Sequence, residues 1–140
     1  MDRELVAAGI TEVAVGALTG WPLAALIADP ALAERLGVRE VHRLRQAHVD
    51  LIMMGGLVAA AGLVDDAPAW ATRSVKIGAW TNPLLFVPVA VRPGVVRSPA
   101  YVAATLASFA VTCAGWVGLA RAARRQARPV SARPRDDDRV

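Results

Sequence analysis

Charge is segregated along this chain, and that segregation limits the possible folds more than any motif does. Between Leu5 and Ala28 the only charged side chain is Glu12; between Leu51 and Val64 there is none, and between Ser98 and Ala120 none. A bilayer core about 30 Å thick is crossed by roughly 20 apolar residues in helical form, and these stretches approach or reach that length. The averages agree, with 55% hydrophobic residues, 20% charged and a mean hydropathy of +0.40, above the range of soluble domains. The sequence therefore reads as an all-α integral membrane four-helix bundle over residues 1–125, with helices at about 5–28, 46–64, 73–91 and 99–121. Residues 126–140 read as a basic, disordered tail of Pro, Ser, Arg and Asp.

The breaks between segments are chemical. Asp29-Pro30, Asp65-Asp66-Ala67-Pro68 and Arg92-Pro93-Gly94 are stops, because the residue before a proline is pushed out of helical geometry. Pro22 is expected to bend the first helix near its end. From Ala31 to Gln46, apolar Leu32, Leu36, Val41 and Leu44 alternate with charged residues, which predicts an amphipathic connection at headgroup level leading straight into the second helix. The third segment is the least hydrophobic, holding Lys76, Asn82, Pro83 and Pro88; the carbonyls freed by its prolines need protein neighbours. The start, Met1-Asp2-Arg3-Glu4, has no net positive side-chain charge and the apolar run is longer than a signal core, so the first segment reads as a membrane span.

A pI near 10.5 raises nucleic acid as a partner. The excess charge is concentrated, however, in Arg121, Arg124, Arg125, Arg128, Arg133, Arg135 and Arg139, directly after the last apolar segment. That placement is a cytoplasmic anchor rather than a nucleic-acid surface. Four spans put both termini on one side, here the cytoplasmic face of a bacterial-type inner membrane; Arg35, Arg39, Arg43 and Arg45 pull the other way. The single cysteine, Cys113, excludes an internal disulfide framework and an all-cysteine metal site. No phosphate loop, Ser–His–Asp set or paired-histidine zinc motif is present.

Polar groups inside hydrocarbon cost at least about 2.5 kcal/mol on insertion scales, so Glu12, His48, Asp50, Lys76 and Asn82 each need a reason. Glu12 shares a face with Gly9, Gly16 and Thr19 and reads as a neutral or paired carboxyl at a helix contact, as a proton or ligand site, or as an interfacial group. His48 shares a face with Ile52 and Gly55; a flat glycine surface beside an imidazole leaves room for the edge of a planar cofactor, although a lone histidine is more often a hydrogen-bonding residue. Asp50 points to another side, where it could orient Lys76 or cap a neighbouring helix. Gly78, Asn82 and Phe86 form one stripe, and a buried amide needs partners from another helix. Ala103, Ala107, Ala110, Ala114 and Gly118 make a small-residue seam for close packing or oligomerisation. With His42 and His48 the only histidines, a haem iron on one axial histidine is the metal centre such scarcity permits.

Two strings, Ala47-His48-Val49-Asp50 followed by Met53-Met54-Gly55, and Gly78-Ala79-Trp80-Thr81-Asn82, resemble the second and third helices of a membrane isomerase family whose members are styrene oxide isomerase and hydroxylaminobenzene mutase. The resemblance implies a trimeric four-helix membrane protein binding haem b. In it, ferric iron acts as a Lewis acid on an epoxide oxygen, and ring opening with a hydride shift gives the carbonyl product. It makes His48 the axial metal ligand, Asn82 and Asp50 catalytic candidates, and Gly55, Gly78 and Phe86 cofactor-binding candidates alongside His48. Two positions depart from the family pattern: Phe86 stands where styrene oxide isomerase has a tyrosine and Met54 where it has an asparagine, while Asp50 resembles the His-x-Glu pattern of the mutase branch. The expected chemistry is therefore isomerisation of a small apolar molecule other than styrene oxide. The competing readings are a non-catalytic haem- or ligand-binding membrane protein, and a small transporter or subunit of a membrane complex built on Glu12 and Lys76.

Overall fold

A computed structural model describes residues 1–127, and these are helical with no strand. The elements are α1 (Arg3–Ala28), α2 (Pro30–Arg35), α3 (Val41–Ala61), α4 (Ala69–Leu84), α5 (Phe86–Val91), a 3-10 turn (Pro93–Arg97) and α6 (Pro99–Gln126). Most of the tail expected from 126 onward lies outside the described residues. Side-chain caps open α1, α2 and α6, whereas α3 and α4 begin without one. The Asp2 carboxylate accepts from the Leu5 N–H at 3.0 Å, Asp29 from Leu32 at 3.1 Å and Ser98 from Tyr101 at 3.3 Å.

Among the described residues three helices are long and apolar enough to cross a membrane: Arg3–Ala28, the α4–α5 run Ala69–Val91, and Pro99–Gln126. The remaining long helix, α3, opens on Val41-His42-Arg43-Leu44-Arg45-Gln46 and contains His48 and Asp50, which dilutes its apolar character. Its 21 residues make a rod about 32 Å long at a rise of about 1.5 Å per residue.

The helices pack as two pairs, α1 against α3 and α4 against α6, joined through α3 on α4 and α5. The core between them holds Leu5, Val58, Ala61, Ala71, Val75, Ala79 and Leu119. At one end Met1, Asp65 and Gln126 converge: the N-terminal ammonium pairs with Asp65, and the Asp65 N–H donates to the Gln126 side chain at 3.1 Å. At the other end the Arg39 and Glu40 N–H groups donate to the Ala90 carbonyl at 2.8 and 3.0 Å. Successive long segments therefore run up, down, up and down.

The Ala31–Gln46 connection is broken once, where α2 stops at Arg35 and Gly37 turns the chain at φ +72°, a conformation that glycine adopts without steric cost; from Val41 the helix runs through Gln46 into the apolar part of α3 without a break. The third segment is split at Leu85 into α4 and α5, with Pro83 inside α4 and Pro88 inside α5. At the break the Tyr101 hydroxyl donates to the Leu85 carbonyl at 3.0 Å, giving the interrupted backbone a protein partner.

Close contact between α1 and α3 rests on glycine. A Cβ on Gly55 would meet the Gly9 carbonyl oxygen at 2.7 Å and the Val13 nitrogen at 2.8 Å, and one on Gly16 would meet Ile52 at 2.8 Å. Gly56, one residue along, faces open space. Gly55→Ala is expected to destabilise the protein by about 1–3 kcal/mol through overpacking, whereas Gly56→Ala should be neutral or stabilising by up to about 1 kcal/mol through helix propensity. Unfolding in mixed micelles followed by circular dichroism checks the pair.

Candidate functional site

His48 lies at the α1–α3 contact, half-buried, with its ring against α1. Its Nδ1 is 2.9 Å from the Gly16 carbonyl oxygen and 3.0 Å from the Thr19 hydroxyl. A carbonyl oxygen only accepts, so Nδ1 carries a proton, and in the neutral ring Nε2 presents its lone pair. The Thr19 hydroxyl donates to the same carbonyl at 2.6 Å and so turns a lone pair to the imidazole. Gly20 leaves room for the ring: a Cβ there would sit 3.3 Å from Cε1. Among the described residues Nε2 has no hydrogen-bond partner.

Beside the imidazole is a cavity of about 210 Å³. Pro22, Leu23 and Leu26 of α1, Leu44 and Leu51 of α3, and Pro83, Leu84 and Val87 at the α4–α5 break surround it. The wall is almost wholly apolar, and Thr19 and His48 supply its polar atoms.

Asn82 lies elsewhere. Its neighbour Pro83 lines the His48 cavity, but the Asn82 amide turns to α6, accepting from the Ser108 hydroxyl at 2.6 Å and donating to Thr112 at 3.3 Å. Thr81 joins Ser108 at 2.5 Å, and Thr112 donates to the Ser108 carbonyl at 2.7 Å. The amide thus has the interhelical partners that burial demands. Sequence spacing placed Asn82 on a buried stripe but gave no sign of Ser108 and Thr112; two hydroxyl residues four apart on α6 are the signal that could have found them.

The glycines singled out with these residues lie against protein. The surface at Gly55, expected to admit a cofactor edge, is filled by the α1 backbone around Gly9 and Val13, and Gly78 packs against the Thr112 side chain of α6. Both are sites of helix approach. Asp50 and Lys76 are half-buried and make no ion pair with each other among the described residues. Phe86 begins α5, half-buried. Of the small-residue seam of α6, Gly118 packs on Ala71 and Trp70, whereas Ala103, Ala107, Ala110 and Ala114 are exposed; Ser108, Thr112, Gly115 and Ala122 face inward. Among the described residues no three of His, Cys, Asp and Glu gather as a metal-ligand cluster, an arrangement that a single axial histidine does not require.

Comparison of the chain with known protein families, with curated proteins and with solved structures gives no match.

A double-mutant cycle on Asn82→Ala and Ser108→Ala tests the α4–α6 network. The expected coupling energy is about 0.6–1.7 kcal/mol, the span of interhelical hydrogen bonds in membrane proteins, read from unfolding in mixed micelles.

Proposed function

We propose that this chain is an integral membrane protein whose four long segments all cross the bilayer and whose His48 holds haem b, in a membrane isomerase of the styrene oxide isomerase and hydroxylaminobenzene mutase type. The observation that carries the reading is the His48 geometry: Nδ1 anchored on the Gly16 carbonyl at 2.9 Å, with Nε2 unpartnered among the described residues. Metal-ligating histidines almost always donate their other ring N–H to a carbonyl or carboxylate, which fixes tautomer and orientation.

The residues present fit the ligand role. His48 would hold the iron, Gly16 and Thr19 orient the ring, and Leu23, Leu26, Leu44 and Leu51 keep water from its apolar side. At about 210 Å³ the cavity is smaller than the roughly 300–1,000 Å³ of small-molecule sites, so one chain alone does not enclose a porphyrin. The outward face of Ala103, Ala107, Ala110 and Ala114 suits close approach of a further copy, in keeping with the trimer that the resemblance implies. Ferric haem, when bound, supplies a Lewis acid for the oxygen of a small apolar substrate such as an epoxide. The membrane is read as a bacterial-type inner membrane with both termini cytoplasmic.

A second reading, haem or ligand binding without turnover, draws on Asn82. Both ends of its amide are engaged by Ser108 and Thr112, so the residue that the resemblance makes catalytic is committed to holding α4 on α6.

The test is an absorption spectrum of detergent-purified protein from haem-supplemented cells. The expected result is a Soret band that His48→Ala abolishes and that Thr19→Val weakens through a 10–100-fold loss of haem affinity, about the effect of removing an outer-shell partner. A folded parent without the band sinks the haem reading. A band without turnover of epoxides or arylhydroxylamines selects the second reading.

A further inference from the structure

Glu12 is used by nothing described so far. It sits in α1 between Gly9 and Gly16, the residues that bring α3 closest, and is only 1% exposed. Its Oε1 is buried and has no hydrogen-bond partner among the described residues. Counted along α1 from Arg3 at about 1.5 Å per residue, it lies about 14 Å inside the helix, near the middle of an apolar span.

No basic group pairs with it among the described residues. On α3 the ionisable residues along the span are His48, turned to the Gly16 carbonyl, and Asp50; on α4 they are Arg73 and Lys76. Among the described residues none of these forms an ion pair or hydrogen bond with Glu12. A carboxylate there would be an uncompensated charge in a low-dielectric site, several kcal/mol worse than the neutral acid by the usual order of such penalties. A helix contact needing only small size would be met by alanine, since Gly9 and Gly16 already set the spacing.

We propose that Glu12 is a proton-binding site: a carboxylic acid in the membrane interior that takes up and releases a proton. The ligand is a proton rather than a metal cation, because a cation needs several oxygen donors and among the described residues Glu12 Oε1 has no polar partner. Membrane-embedded carboxyls of this kind mark proton relays. The site is separate from His48 and does not depend on haem.

The experiment treats the full chain in proteoliposomes with dicyclohexylcarbodiimide, an apolar reagent that requires a protonated carboxyl. The acid adds across a C=N bond and rearranges to a stable N-acylurea with no leaving group, so each adduct is read as a mass increase and located by peptide mapping. The expected result is one adduct, on Glu12, lost in Glu12→Gln and formed progressively more slowly as pH rises. That pH series should repeat in His48→Ala, which removes the imidazole as its source. Water-soluble carbodiimide should label exposed carboxyls such as Glu4 and Glu34 and spare Glu12. The proposal is overturned if Glu12 stays unlabelled in the folded protein while reacting in the detergent-unfolded chain, if labelling is independent of pH, or if Asp50 labels as fast as Glu12. Mapping on the parent protein decides the matter even if Glu12→Gln fails to fold. A Soret band retained by Glu12→Gln keeps this outcome distinct from that of the haem reading.

Discussion

The contact on which the rest of the structure depends is the approach of α1 to α3 across glycines. In lipid, two apolar helices gain little by leaving the solvent, so association relies on close packing and on hydrogen bonds between them. Gly9, Gly16 and Gly20 of α1, Gly55 of α3 and Gly62 just after it remove the side chains that would hold the pair apart. The consequences are polar. Close approach seals Glu12 between the helices and sets the His48 imidazole on the Gly16 carbonyl. Widening the seam would release both at once.

The α4–α6 pair solves the same problem differently. Gly78, Gly115 and Gly118 again allow approach, but the pair is tied by an amide–hydroxyl network, Asn82 with Ser108 and Thr112. Such a network rewards one register of the two helices, since a shift of either leaves a buried polar group unpaired. The α4–α5 break fits this arrangement. Pro83 and Pro88 interrupt the ladder where Tyr101 of α6 reaches the Leu85 carbonyl, and where Val87 and Leu84 close the cavity beside His48.

Much of this was legible in the sequence because punctuation is local. Asp2, Asp29 and Ser98 mark helix starts, and Pro30, Pro68 and Pro93 mark the breaks. The residues needing a reason could likewise be picked out, since Glu12, His48 and Asn82 stand in apolar surroundings. Their partners could not. Gly55 shares a face with His48, but whether a cofactor or a helix fills that face depends on where α1 runs, and it runs there. The inner face of α6 was hidden for a similar reason: alanine and glycine are small on every side of that helix, so periodicity alone did not reveal that Ser108 and Thr112 mark it. The break after α2 turns on one glycine, Gly37, whose positive φ leaves no trace in hydropathy.

The proposed four-span arrangement requires that α3, the long helix outside the three apolar enough by themselves to cross a membrane, crosses beside α1, with α1 on one side and α4 and α5 on the other. Single cysteines placed at Gly37, Asp66, Gly94 and Gln126 in a Cys113→Ala background, probed with a membrane-impermeant thiol reagent on oriented vesicles, test it most directly. The account predicts that positions 66 and 126 react from one side and positions 37 and 94 from the other. Reaction of positions 37 and 66 from the same side would mean that α3 does not cross, and would contradict the account.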